Sequence, residues 1–198
     1  MRFICSIIFL VVSAMVCGEA RAQWHEEIFS DLGVAKEFPA QSVSEEGTYQ
    51  TIVIGEAPVA ARFISAAADG VALKITIADM RAPDLVVKGA NAMGECYFDA
   101  ELEGDVLSNL AYRLEDGTRY GIHGRIVDVV LDEDVLDEDV LDEDGGGVKP
   151  GRKKTGCFFA KGRLFKTEAL LGDGAGQEAL DVASRFVRSM RFDVGDIE

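Results

Sequence analysis

Basic residues, histidine and cysteine are scarce in this chain. Twenty Lys and Arg stand against 35 Asp and Glu among 198 residues, a formal net charge of −15. Phosphate backbones are held by basic surfaces, so nucleic acid is not an expected partner. Only His25 and His123 can supply imidazole, and no C-x-x-C or H-x-x-x-H spacing joins them to a cysteine pair. A zinc site on Cys96, Cys157, His25 and His123 is therefore not expected. G-x-S-x-G, H-E-x-x-H and P-loop signatures are missing too. Nor does any later segment reach the ~20 consecutive apolar residues that a membrane helix needs. The composition thus leans away from an enzyme and offers no catalytic residue.

What is present begins at the N-terminus. Met1-Arg2 is a short basic start, and Phe3 to Val16 is an almost unbroken apolar run of fourteen residues. Ala20-Arg21-Ala22 then forms an A-x-A cleavage site ahead of Gln23. This layout predicts a secretory signal peptide over residues 1–22, cut between Ala22 and Gln23, because the run is too short to span a bilayer. Cys17 follows Val16 where a lipidation site takes a small residue, so no lipid anchor is expected there. An exported chain, periplasmic or secreted, is the expectation, with residues 23–198 as one domain.

Removing residues 1–22 takes away Arg2, Arg21 and Glu19 as well as Cys5 and Cys17, leaving 18 basic and 34 acidic residues, net −16. Cys96 and Cys157 remain. An oxidising compartment favours a disulfide between them. Left reduced, with His123 nearby, they would instead suit a cysteine-dependent enzyme.

Downstream of Gln23 the pattern is mostly of strands and tight turns. Gly47–Ile54 and Val59–Ser65 flank Gly55-Glu56-Ala57-Pro58, and Val71–Ile77 places large apolar residues at every second position. Asp69-Gly70, Asp116-Gly117 and Lys161-Gly162 are two-residue turn signals. The last two join Val106–Leu114 to Arg119–Val127 and Thr155–Ala160 to Arg163–Leu170. Val86, Ala90, Met93 and Tyr97, with Cys96 and Ala100, predict a crossing helix opened by Pro83-Asp84. Ala179, Ala183, Phe186 and Met190, with Leu180 and Val187, predict a C-terminal helix, and Arg185, Arg188 and Arg191 lie off that stripe. The order suits an α+β domain: an antiparallel meander sheet with a crossing helix and a C-terminal helix packed on it.

Between two of these strands the word VLDED is written three times, inside an acidic low-complexity loop at 129–147. A step of five matches neither helix nor strand, since it rotates a helix face by about 140° and flips a strand. Asp132, Asp134, Asp137, Asp139, Asp142 and Asp144 are hard oxygen donors, the only candidates for a calcium-responsive module. Their spacing is not that of a calcium loop, so calcium there is expected to bind weakly and no other cofactor is implied. A solvated duplication is the favoured reading, because loop closure costs grow only logarithmically with length. The basic Arg152-Lys153-Lys154 beyond it reads as compensating charge.

Two further stretches carry polar or apolar groups. Gly172-Asp-Gly174-Ala-Gly176 reads as a loop and helix start rather than a phosphate cradle. Phe158 and Phe159 point to opposite faces of one strand, as core under a second layer.

Leu32-Gly-Val-Ala-Lys-Glu-Phe-Pro39, the crossing helix between hairpins, and Ser184-Arg-Phe-Val-Arg-Ser-Met-Arg-Phe192 together resemble the PsbP/Mog1-like α/β/α sandwich. The resemblance spans most of Trp24–Val194. It implies a central antiparallel sheet between helices, in a group of assembly factors and binding adaptors. It implies no site residue, and the acidic insert has no counterpart in it. The expected role is an exported, non-catalytic accessory domain that binds a protein or cell-envelope component through a sheet edge or helix face.

Overall fold

Among the described residues, seven antiparallel strands and a separate two-stranded hairpin carry the architecture. A computed structural model describes residues 23–50, 58–82, 85, 94–114, 122–132 and 150–192. Strands β1 (His25–Phe29) and β2 (Val34–Phe38) form the hairpin. The sheet holds β3 (Val43–Tyr49), β4 (Val59–Ala68), β5 (Val71–Asp79), β6 (Gly104–Leu114), β7 (Ile122–Leu131), β8 (Pro150–Ala160) and β9 (Arg163–Gly172). Helix α1 (Glu95–Glu103) precedes β6, and α2 (Gln177–Arg188) follows β9.

The spatial order is β3-β4-β5-β9-β8-β7-β6. The meander is therefore double. After β5 the chain crosses by way of α1 to the far edge, and the next four strands return until β9 closes against β5. Two of the expected turns are seen directly. Asp69-Gly70 and Lys161-Gly162 both take positive φ at both positions (52° and 73°, 51° and 70°). Two left-handed residues match the right-handed twist of the strands they join, and glycine accepts the second at no steric cost. Asp116-Gly117 lies outside the described residues, but the strands on either side of it pair with each other, with one register shift between Val106 and Ser108.

The two sheet faces differ in chemistry. One carries Leu73, Ile75, Ile77, Phe165, Ala169, Leu171, Phe158 and Ile126, buried under Ala183, Phe186 and Val187 of α2 and Val34 and Phe38 of the hairpin. Four of the five expected stripe residues within α2 are buried as read, Leu180 being half-buried, and Met190 is buried just past its end. Gly156 lets α2 approach, since a Cβ there would sit 2.8 Å from a Val187 methyl carbon. Beyond α2, Arg191 exchanges two backbone hydrogen bonds of 2.9 Å with Ala35, so the hairpin is clamped to the chain after the helix. Lys36 is buried there, and its Nζ donates to the Phe186 carbonyl oxygen. Burial pushes its pKa well below the ordinary lysine value.

Some expectations are corrected. Of Gly47–Ile54 only Gly47–Tyr49 lies in β3, which starts at Val43; residues 51–54 fall outside the described residues. The β1–β2 hairpin is absent from the expected strands, because HEEIF shows no clean alternation and three of its five side chains face solvent. Strand β7 runs on through Val129, Val130 and Leu131, which pair with Lys153, Arg152 and Gly104. The first Val-Leu of the repeat is thus sheet, and the acidic stretch starts at Asp132.

Candidate binding surface

Helix α1 presents its residues the wrong way round for a surface helix. Cys96 and Ala100, one turn apart, face the sheet and are buried with Val127, Val129 and Cys157. Asp99 and Glu103, also one turn apart, reach down to the same face. Phe98 and Leu102 share the outward side and are 59% and 66% exposed. The expected crossing helix places Cys96 and Ala100 correctly and Tyr97 half-buried; Val86, Ala90 and Met93, and the opening at Pro83-Asp84, lie outside the described residues.

The sheet beneath α1 explains the inversion. Strands β8 and β9 alternate, so Lys153 and Cys157 share the α1 face with Lys166 and Glu168, and Cys157 stands directly opposite Lys166. Lys153 Nζ donates to Glu103 at 2.6 Å and lies 3.0 Å from Glu168. Lys166 Nζ donates to Asp99 at 3.0 Å and lies 3.2 Å from Glu168. Burial alone would raise the Glu168 carboxyl, but the Lys166 and Lys153 ammonium groups outweigh it and hold the carboxyl at about 2. Burial would lower Lys166, and Glu168, Tyr49 and Asp99 reverse that, so its pKa is raised. Two lysines thus face three carboxylates in a closed network. Cys96 and Cys157 add a disulfide between α1 and β8, with Cα atoms 6.1 Å apart. The expected pairing is what the structure contains, and geometry permits it.

Among the described residues, strand β6, which follows α1, is an edge of the sheet. Its register shifts between Val106 and Ser108, a bulge at Leu107. Leu107 and Leu110 are each 53% exposed. Gly104 makes the helix-to-strand corner, where a Cβ would run into the Val130 carbonyl oxygen and lie 2.9 Å from the Asp132 nitrogen. Asp132 donates its own N–H to the Glu103 carbonyl at 2.9 Å, beside the C-terminus of α1.

The bases next to the repeat serve the fold, contrary to their reading as compensation for it. Arg152 holds Asp128 by two bonds of 2.6 Å, and Lys154 lies 3.2 Å from the same carboxylate and donates to Ser184. Burial would raise Asp128, and these two cations win, so its pKa falls. Strand alternation sends Arg152 and Lys154 to one face and Lys153 to the other, where buried acids wait. Neighbours in sequence are here opposed in space.

The other sequence candidates do not assemble. His25 lies on β1 beside Glu27, and His123 is exposed on β7, so neither joins the disulfide. Asp132 is exposed; Asp134, Asp137, Asp139, Asp142 and Asp144, like Ala22, lie outside the described residues, and Gln23 is exposed. Among the described residues no cluster of three or more potential ligands is placed to hold a metal, and no helix is long and apolar enough to cross a membrane. Phe158 lies in the core under α2, and Phe159 packs half-buried beside Leu164 and Met80 on the opposite face. A cleft of about 340 Å³ opens at one sheet end, lined by Arg62, Arg81 and Arg163 and by Asp31, Glu46 and Asp79. Arg62 bonds Asp31 at 2.9 Å, and the Arg81 hydrogen bond brings Asp79 down to about 2. Its charges balance.

No family profile matches the chain, and no curated protein matches it. Among solved structures it is similar to the solution structure of cyanobacterial PsbP (CyanoP) from Synechocystis sp. PCC 6803, at 11% identity, 87% of this chain, 94% of that one and a TM-score of 0.48. This is the fold-level resemblance read from the sequence. It transfers no residue role.

Proposed function

We propose that the chain is an exported, non-catalytic accessory domain that binds a protein or cell-envelope component. The outward face of α1 and the neighbouring edge β6 form its docking surface. The observation that carries this reading is the exposure of Phe98 and Leu102 on a helix whose Asp99 and Glu103 are turned inward. A helix packed only for stability directs its apolar stripe at the core. Here the core side is served by ion pairs and a disulfide, and the apolar side is left for a partner. Leu107, at the bulge of β6, adds exposed apolar surface on a strand that is an edge of the sheet among the described residues, whereas Leu110 pairs with Ile126 and so lies on the α2 side. The signal-peptide layout of residues 1–22 and a disulfide suited to an oxidising compartment support export.

A photo-crosslinking side chain at Leu102, and a control at exposed Glu178 on α2, test the reading in cells that make the protein. Discrete adducts from position 102 and none from 178 are expected. Equal or absent crosslinking at both positions would remove the α1 surface as a docking site.

A further inference from the structure

We propose that the β1–β2 hairpin is a proton-operated clasp: it closes on the α2 side of the sheet with the Lys36 amine unprotonated, and proton uptake at that amine loosens it. The hairpin lies across the sheet from α1, so this device is independent of the docking surface. It starts from a lysine buried without a counter-ion. Lys36 is 1% exposed, and its Nζ lies 4.3 Å from the centre of the Phe186 ring. Its one hydrogen-bond partner among the described residues is the Phe186 carbonyl oxygen, which also accepts from the Ser189 N–H and hydroxyl. An ammonium carries three donors and a neutral amine two, so closing over the charged form leaves more hydrogen bonding unmet besides the charge itself. The ring and the C-terminal end of α2 favour a cation, but neither is an anion. Burial outweighs the attraction of Glu37 and lowers the pKa of the amine.

The charged groups around Lys36 are engaged elsewhere. Glu27, directly opposite it in the hairpin, accepts from Ser42 at 2.7 Å and lies 3.0 Å from His25. Glu37 accepts from Arg185 at 2.8 Å, Glu26 lies 2.7 Å from Arg191, and Asp31 lies 2.9 Å from Arg62. On α2, Arg188 lies over the Tyr112 ring, and Lys154 of β8 donates to Ser184. These contacts hold the rim of the hairpin, while Lys36, Val34 and Phe38 fill its buried side. The hairpin is a sheet of its own, joined to β3 by residues 39–42, which belong to no strand. It can lift without breaking a ladder of the main sheet. Lifting gives up the rim pairs, the two Ala35–Arg191 bonds and the edge-to-face contact of Phe38 with Phe186 at 5.6 Å. It returns Lys36 to water and uncovers an apolar face on both sides. In water the amine has its ordinary value of 10.5. Below that value the lifted state binds a proton that the closed state does not. Opening therefore gains about tenfold for each pH unit downward, until the amine of the closed state itself protonates.

Native-state hydrogen exchange of the chain from Gln23 onward reads the opening. The Ala35 amide, bonded to the Arg191 carbonyl oxygen, reports the hairpin, and the Ile75 amide, inside the sheet on β5, reports global unfolding. Both are followed from about pH 8.5 down to about pH 6 in a wild-type and a Lys36→Met chain, each carrying His25→Gln so that the imidazole on β1 adds no titration of its own. Methionine keeps the apolar contacts of the lysine stem and takes no proton. Lys36→Leu is a second apolar variant, in case Lys36→Met folds poorly. Every other group is common to the chains compared, so the ratio of their opening constants at each pH isolates Lys36. Ala35 should exchange faster than Ile75, and the ratio of wild type to either variant should rise by up to about tenfold per unit as pH falls. A ratio that stays flat or rises with pH overturns the proposal, because the proton on Lys36 then does not drive opening. Exchange of Ala35 no faster than that of Ile75 overturns it equally, because the hairpin then opens only when the whole domain unfolds.

Discussion

Glu168 lies on β9 between two lysines, in a position that a sequence reader would assign to an ordinary strand, LFKTEALL. Its pH signature follows from its sign. The carboxyl sits at about 2 in the fold against 4.5 ordinarily, so its stabilisation is fully present above about pH 5 and drains away as pH falls toward 2. Urea melts across that window should show wild type losing stability more steeply than Glu168→Gln. The substitution itself should cost about 3 kcal/mol at neutral pH, because it leaves Lys153 and Lys166 short of a carboxylate. Equal acid slopes in the two proteins would place the sensitivity elsewhere. At this scale the sequence showed charges on a strand and no more. Whether Lys166 faces solvent or a helix depends on α1, and only Asp99 and Glu103 reveal which.

Elements were more legible. The Asp69-Gly70 and Lys161-Gly162 hairpins could be read because positive φ leaves a chemical trace, a glycine after a turn-forming residue. Helix α2 was legible because its stripe is buried against a sheet. The α1 face was read only in part: Cys96 and Ala100 are buried, but the outward Phe98 and Leu102 gave no warning, since apolar spacing alone does not say which stripe a sheet will cover. The disulfide gives α1 its most direct test. Thiol titration of the native chain from Gln23 should find no reactive cysteine, and replacing both by alanine should lower stability by up to about 4 kcal/mol through the 61-residue separation they close. Two reactive thiols in the native protein would instead return the cysteine-enzyme reading to consideration.

For the molecule as a whole, the repeat is the informative perturbation. Because Val130 and Leu131 belong to β7, a clean deletion removes Val135–Asp144 and keeps one word. Shortening the connection should change stability by less than about 1 kcal/mol, and millimolar calcium should move the melting temperature of neither form. A calcium-dependent rise confined to the full chain would make the acidic words a ligand loop.

The amino-acid sequence by itself determined the class of the fold, its tight turns, the helix that closes it, its acidity and the cysteine pair. These are local or additive properties: backbone conformation, periodicity, composition. The tertiary structure alone decided three things. It set the order of strands, because β9 meets β5 only after the chain crosses by way of α1. It decided which charges are spent, since Arg152 and Lys154 find partners on one face of the sheet and Lys153 on the other. And it decided which apolar side chains remain outside. Each is a relation between residues far apart in sequence, fixed by which faces meet when the layers close.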